Sequence, residues 1–319
     1  MSLALAEGAR RHLARHSIFL VLAVIFIVAA LSSPAFTDPA YLLNVLRQAA
    51  PVGIAAVGVT LVMILGGVDL SVGAVISLTA VLAAAVMAGE AANLPLAIAA
   101  ASAAGLAIGA LNGALIAFTR VSPFILTLGM GVAIAGLTQM YTGGTAKGVV
   151  SPGYREFFNF RLGGIAPVLA LAFLALAAFG VLVQKTTVFG RRLYLVGANP
   201  EAAMLSGLPV RSVTVVAYSL AGLFGALAGL ALLARSGVSS TVAGQGLEFQ
   251  VLAAVVLGGT TFEGGRGGVA GTVAGVLVLS IAFNLVNIAG LPYHMQLTVM
   301  GAIIIAASAL YGQMERRSD

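Results

Sequence analysis

The sequence predicts an all-α integral membrane protein of about ten transmembrane helices with both termini in the cytoplasm, and three observations carry that prediction. Of its 319 residues, 60% are hydrophobic and 8% are charged, against roughly a quarter charged in soluble domains. A water-facing surface cannot be built from that composition. The apolar residues fall in successive runs close to the ~20 residues that cross a bilayer as helix, separated by short polar breaks. Finally, no alternation of period two appears, which argues against a transmembrane barrel. The runs continue without a composition shift or a long linker, so residues 1–319 read as a single polytopic membrane domain.

Ten spans follow in order, each ended by polar or Gly/Pro punctuation. The first, over residues 17–31, is stopped by Ser32, Ser33 and Pro34. Arg10, Arg11 and Arg15 precede it as in a signal peptide, but no small-x-small cleavage site follows, so it is expected to stay as a helix. The second covers 49–65 and ends at Gly66-Gly67; the third covers 70–88 and the fourth 94–118. After Arg120 and Pro123 comes the fifth, 124–141, then a polar stretch, 142–164, and the sixth, 165–183. A second polar stretch, 184–211, precedes the seventh at 212–234; the last three are 242–257, 269–288 and 295–311.

Charge sets the orientation. With the N-terminus inside, Arg10, Arg11, Arg15, Arg120, Lys185, Arg191, Arg192, Arg211, Arg266, Arg316 and Arg317 are cytoplasmic. Arg47, Lys147, Arg155, Arg161 and Arg235 remain outside. This positive-inside bias supports an even number of spans. It also accounts for the net charge of +6 without a nucleic-acid partner; membrane lipid is the expected surrounding. The 40 glycines suit close helix approach. Gly105, Gly109 and Gly113, and likewise Gly267, Gly271 and Gly275, form small-xxx-small stripes expected at helix contacts. The matched endings Leu65-Gly66-Gly67 and Leu257-Gly258-Gly259 hint at a weak internal repeat.

Two stretches carry functional signals. In Gly66-Gly67-Val68-Asp69-Leu70-Ser71-Val72-Gly73, a tight break between spans, Asp69 is placed to accept from the first amides of the third helix, with Ser71 as a second acceptor. A gate or partner contact at the cytoplasmic mouth is the functional alternative, and the break lies where interfacial water would lower the cost of the charge. In the stretch from Phe189 to Gly207, Asn199 reads as an N-cap, Pro200 as the first helical residue, Glu201 as a first-turn acid and Gly207 as the stop. The apolar Ala202, Ala203, Met204 and Leu205 are too few to form a core, so this short helix must pack on its own bundle or dock on a partner.

At these stretches the sequence resembles the ribose-type family of ABC importer permeases, with its GG-[IV]-DLSVG break and its G-R…G-x-N-x-x-A-A-x-x-S-G segment. Ser122 to Gly129 and Val255 to Gly267 resemble two further family segments, so the likeness runs from about Asn44 to Ala306. The resemblance implies a type II-like ABC importer permease in the cell (inner) membrane. It implies a homodimer served by cytoplasmic ATPase subunits, which hold ATP and magnesium on separate chains, and by an extracytoplasmic sugar-binding protein. Residues 184–211 become the coupling segment, with Gly190, Arg191, Arg192, Gly197, Asn199, Pro200, Glu201, Ala202, Ala203, Ser206 and Gly207 as ATPase-coupling positions. Gly67, Asp69, Ser71 and Gly73 form the gate or structural motif.

Candidate pathway residues are polar or aromatic groups within spans: Asn112, Phe124, Thr127, Glu248, Gln250, Asn284 and Asn287. A sugar path needs neutral hydrogen-bonding groups more than charge, while helix–helix bonding is the commoner use of such side chains. Glu248 either meets an entering solute or snorkels to the interface. Glu263 departs from the small residue usual in its loop, which leaves the substrate open. Gly264 to Gly271 lacks the Lys-Ser/Thr ending of a P-loop, so no nucleotide or other cofactor is expected on this chain. His12, His16 and His294 are scattered and cysteine is absent, which excludes thiolate chemistry and leaves no metal spacing. An enzyme is therefore not expected. A secondary transporter would bury ionisable groups near mid-membrane, whereas Arg47, Asp69, Glu90, Arg120, Arg235 and Glu248 are all expected near span ends. A channel lacks a filter signature. A branched-chain amino acid permease is the nearest alternative.

Overall fold

The computed structural model describes residues 18–119 and 121–290, together with 295, 298, 301 and 302. Most of the expected tenth span, Arg120, the three histidines and both termini with their arginines fall outside the described residues. The described chain is helical: α1 (Ile18–Ser32), α2 (Pro39–Ile64), α3 (Val72–Met87), α4 (Leu94–Thr119), α5 (Pro123–Thr142), α6 (Pro152–Asn159), α7 (Val168–Thr186), α8 (Val188–Ala198), α9 (Pro200–Leu205), α10 (Val210–Ser236), α11 (Leu247–Leu257) and α12 (Val269–Ile288). Between α6 and α7 the two-residue strands β1 (Arg161–Leu162) and β2 (Ala166–Pro167) form a small antiparallel hairpin.

Among the described residues, six helices are long and apolar enough to cross a membrane: α2, α4 with the 3-10 turn before it, α5, α7, α10 and α12. Two expected spans come out shorter than the sequence indicated. The third begins only at Val72 and the eighth only at Leu247. At 1.5 Å per residue α3 is about 24 Å long and α11 about 16 Å, against about 30 Å of hydrocarbon. The reason is backbone conformation: a turn closed by Asp69 on Ser71 precedes α3, and Gly246, with φ of +83°, keeps the apolar residues before it out of α11. Hydrophobic runs report burial, and irregular chain can be buried too.

The long helix α10 organises the bundle, packing on α2, α3 and α4. The α4 stripe behaves as expected. A Cβ added at Gly105 or Gly109 would overlap the backbone carbonyl of Gly222 or Tyr218, and one added at Gly222 would overlap the Gly105 carbonyl, so the two backbones touch. On α12, Gly275 approaches Ala254 of α11 and Gly271 approaches Gly258, the C-cap of α11, in the same way, whereas Gly267 precedes the helix in a loop.

The two Leu-Gly-Gly endings form the same turn, shifted by one residue: the left-handed position is the first glycine of one and the second of the other. Gly66 N donates to Met63 O and Gly67 N to Val62 O; Gly259 N donates to Val256 O and Thr260 N to Val255 O. Gly66 and Gly259 are both left-handed, at φ +83° and +86°. This is the Schellman arrangement, which satisfies the last carbonyls of a helix where an L side chain would be strained.

Candidate functional site

At one end of the bundle the two Schellman turns, the helix pair α8–α9 and the loop before α12 come together. Thr187 caps α8, its hydroxyl accepting from Gly190 N at 3.0 Å. Asn199 caps α9, its Oδ1 accepting from Ala202 N at 2.9 Å, with Pro200 opening the helix and Gly207 left-handed beyond it. The segment is thus two helices where the sequence signals marked one. The inner face of the pair, Leu193, Val196 and Ala203, joins Leu61 and Ile64 of α2, its C-cap Leu65, and Val213 and Ala217 of α10 in one apolar cluster. Arg191, Glu201, Ala202, Ser206 and Gly207 face outward and Arg192 is half-buried. Met204 is 63% and Leu205 87% exposed.

Backbone contact holds this end together. Gly265 N donates to Ile64 O at 2.8 Å, and a Cβ on Gly197 would overlap that same carbonyl. A Cβ on Gly264 would stand 2.8 Å from Gly197 O and from Gly66 N. Beside this contact lies Gln184, a buried residue at the end of α7 that the sequence marked only as the start of a polar stretch. Its Oε1 accepts from Val269 N at 2.9 Å, and its Nε2 donates to the Tyr194 hydroxyl and, at 3.4 Å, to Gly267 O. Tyr194 itself donates to Gly267 O at 2.7 Å. One side chain therefore ties α7, α8 and the start of α12. Its signal in the sequence was a lone amide ending an apolar run, which does not specify a partner 85 residues away.

The break between α2 and α3 is buried rather than interfacial: Asp69 is 2% exposed. It lies level with Tyr218, whose hydroxyl donates to Val68 O at 3.2 Å, about 12 Å along α10 from its start. Asp69 is also not the cap of α3. Its Oδ1 accepts from Ser71 N at 2.9 Å and from Ser71 Oγ at 2.6 Å, closing a turn before the helix starts at Val72. Ser71 Oγ in turn accepts from Asn112 Nδ2 at 3.0 Å. Thr127 Oγ1 accepts from Leu70 N at 3.1 Å and bonds back to Pro123 O at 2.8 Å. Asn112 and Thr127 thus brace the break from α4 and α5. Over Gly67, an added Cβ would overlap the Tyr218 hydroxyl.

The other polar candidates are scattered. Asn284 accepts from Tyr41 at 3.3 Å, joining α12 to α2, and Asn287 is exposed at the end of α12. Phe124 is 52% exposed at the start of α5. Glu248 packs over Gly73, where an added Cβ would overlap Glu248 Oε2. Gln250, two residues on, sits about 200° further round α11.

At the opposite end four arginines gather. Arg47 donates to Asn159 Oδ1 at 2.7 Å and Asn44 Oδ1 at 3.0 Å, and Arg235 to Gln48 O at 2.7 Å. Arg155 lies over Gly237, and Arg161 and Arg235 are each close enough to Arg47 to repel it. Below them Tyr154 of α6 donates to Leu230 O at 2.8 Å, and burial pushes its phenol above the usual value. Among the described residues no group of side chains could hold a metal.

Comparison with known proteins shows the family. Residues 41–308 match the family model described as "Branched-chain amino acid transport system / permease component". The chain belongs to this permease family. It is 40% identical to the ribose import permease protein RbsC of Bacillus subtilis (strain 168) over 92% of this chain and 91% of the relative, and 39% identical to RbsC of Escherichia coli (strain K12) over 91% of each. The galactose/methyl galactoside import permease protein MglC of Escherichia coli (strain K12) is 33% identical over 94% of each chain. No solved structure matches the chain. The protein is accordingly a multi-pass membrane permease subunit and not an enzyme.

Proposed function

We propose that this chain forms the translocation pathway of a binding-protein-dependent ABC importer for a monosaccharide or related polar solute. It acts in the cell membrane as a homodimer of ten-span subunits with cytoplasmic termini. The sugar assignment follows the relatives, whose names specify ribose and galactose import. The observation that carries the mechanism is the α8–α9 pair, which bears Met204 and Leu205 outward while its other face is packed onto α2 and the loop before α12. An exposed apolar tip on a rigid mount is what a docking surface needs. In this reading ATP, with magnesium, is bound and hydrolysed on a separate ATPase chain docked at residues 184–211. Closure of the ATPase pushes the pair as a lever and biases the bundle between its inward- and outward-open states. At the opposite end, the arginines gathered without a carboxylate partner among the described residues suit the acidic face of an extracytoplasmic binding protein.

The test is uptake into proteoliposomes carrying the permease with the cognate ATPase and binding protein. Radiolabelled ribose, arabinose, galactose and leucine are offered with ATP inside or withheld. ATP-dependent uptake of one sugar is expected. Uptake of leucine alone would transfer the chain to the branched-chain amino acid reading that the family description carries. Uptake driven by an ion gradient without ATP would refute the importer assignment.

A further inference from the structure

Two short helices start at the same depth inside the bundle. Helix α10, of 27 residues, spans about 40 Å and serves as a ruler. Gly225, close to its midpoint, faces Val72 and Val75 in the first turn of α3. The segment before α11 reaches the same level: Gly244 N donates to Ser77 Oγ at 2.8 Å, and a Cβ on Gly244 would overlap Gly73 O. From there α11 runs about 16 Å down to the Gly259 turn beside α8–α9. Its first-turn residue Glu248 therefore stands near mid-membrane. The carboxylate lies over Gly73, with Gly244 O on the other side of that position.

This carboxylate is only part-buried, and it makes no hydrogen bond or ion pair with any described residue. A bare carboxylate facing hydrocarbon at that depth is among the most costly placements in a membrane protein, so mid-membrane acids face a water-filled cavity or a partner. We infer that Glu248 lines the solute pathway near mid-membrane and accepts hydrogen bonds from neighbouring hydroxyls of a neutral polyhydroxylated solute, while repelling anionic relatives such as sugar acids. An ionised carboxylate is acceptor-only and takes two donors at once, which matches adjacent hydroxyls and mismatches a carboxylate or phosphate. The inference rests on the importer reading and adds to it a place, a side chain and a charge preference. Glycine at position 73 lets the segment before α11 come this close, since an added Cβ would stand 2.7 Å from Gly244 O.

The chain has no cysteine, so Glu248→Cys carries the only thiol in the permease. In the assembled importer, modification of that thiol by a charged, membrane-impermeant methanethiosulfonate is expected, with Val57→Cys in the closed core as the unreactive control. Reaction with the small, uncharged N-ethylmaleimide alone would show a position closed to charged solutes and overturn the inference. Absence of reaction with either reagent would place the thiol against lipid or under another chain, out of water, which overturns it equally. These readouts do not depend on transport, so they fail separately from the importer reading.

A second variant, Glu248→Gln, keeps the shape. With whichever of ribose, arabinose or galactose the unaltered importer takes up, its maximal uptake rate is expected to fall ~10-fold, the worth of one charge-assisted hydrogen bond. KM, set by the binding protein, and ATPase copurification stay as they were. An unchanged maximal rate would overturn the solute contact.

Discussion

Replacing Gln184 with leucine asks whether the corner between α7 and α8 transmits force to the start of α12. Leucine fills nearly the same volume, so packing is kept while three hydrogen bonds disappear. The largest loss is at Val269, a buried residue whose amide is held at 2.9 Å by Gln184 Oε1; a buried N–H left without an acceptor costs about 1–3 kcal/mol. The bonds from Nε2 to Tyr194 and Gly267 add less, since side-chain hydrogen bonds in membrane proteins average ~0.6 kcal/mol and Tyr194 keeps its own bond to Gly267 O. A total of about 2–3 kcal/mol corresponds to a ~30- to 140-fold shift between the joined and parted corner at ~1.4 kcal/mol per decade. ATP hydrolysis and sugar uptake are measured in the same proteoliposomes. Copurification of the ATPase and hydrolysis are expected to persist while the sugar moved per ATP falls by at least about tenfold. A Gln184→Leu protein with the unaltered ratio and unaltered thermal stability would show that no force passes through this amide.

Further outcomes follow from other contacts. Met204→Ser with Leu205→Ser leaves membrane insertion intact and abolishes copurification of the ATPase; retained copurification would place the docking surface elsewhere. Arg235→Glu, which reverses one charge in a repelling group, weakens stimulation of ATPase activity by the binding protein, with the larger effect at low salt because exposed charges are screened; stimulation independent of both variant and salt would exclude a role for the cluster. Gly197→Ala drives a methyl into the Ile64 carbonyl and lowers thermal stability more than Gly207→Ala, where nothing stands within 4 Å and only the left-handed backbone is strained. Tyr154→Phe removes one buried hydrogen bond, for about 1 kcal/mol. Because burial raises the phenol's folded pKa, the contribution of this group is full below the unfolded value of about 10 and is lost only as the pH rises through the higher folded value. The stability difference, measured by thermal unfolding, is therefore flat from about pH 6 to 9.

How much of this was legible in the sequence depends on the kind of signal. The long apolar helices and the α4 stripe were legible because composition and four-residue spacing act locally. The cap of α9 was legible for the same reason, since Asn199, Pro200 and Gly207 each act on their own backbone. The starts of α3 and α11 were not, because the hydropathy of residues 68–71 and 242–246 is the same whether they are helical or extended; the Asp69–Ser71 turn and the φ of Gly246 decide. The role of Asp69 was misplaced in depth for the same reason. A carboxylate after two glycines marks a turn, but its burial under Tyr218 is set by a helix 150 residues away. Gln184 and the arginine group were illegible because their partners are remote in sequence.

The contacts at the α8–α9 end constrain how any motion spreads. Gly197 rests on Ile64 O, Gly264 lies against both Gly197 and Gly66, and Gly268 N reaches Thr260 Oγ1 at 3.3 Å. The node therefore includes the last turn of α2, which leads into the Asp69 break and α3, and the last turn of α11, which leads back to Glu248. Backbones in contact without intervening side chains leave little slack, since close-packed interiors transmit displacement instead of absorbing it. A push on α8 thus reaches the start of α3 through the Asp69 break and the start of α11 along the length of that helix, and these two starts meet at Gly73 and Gly244. Long helices such as α10 would carry the same push across the membrane to the arginine end. Two short helices deliver it at mid-membrane, where a solute has to be released.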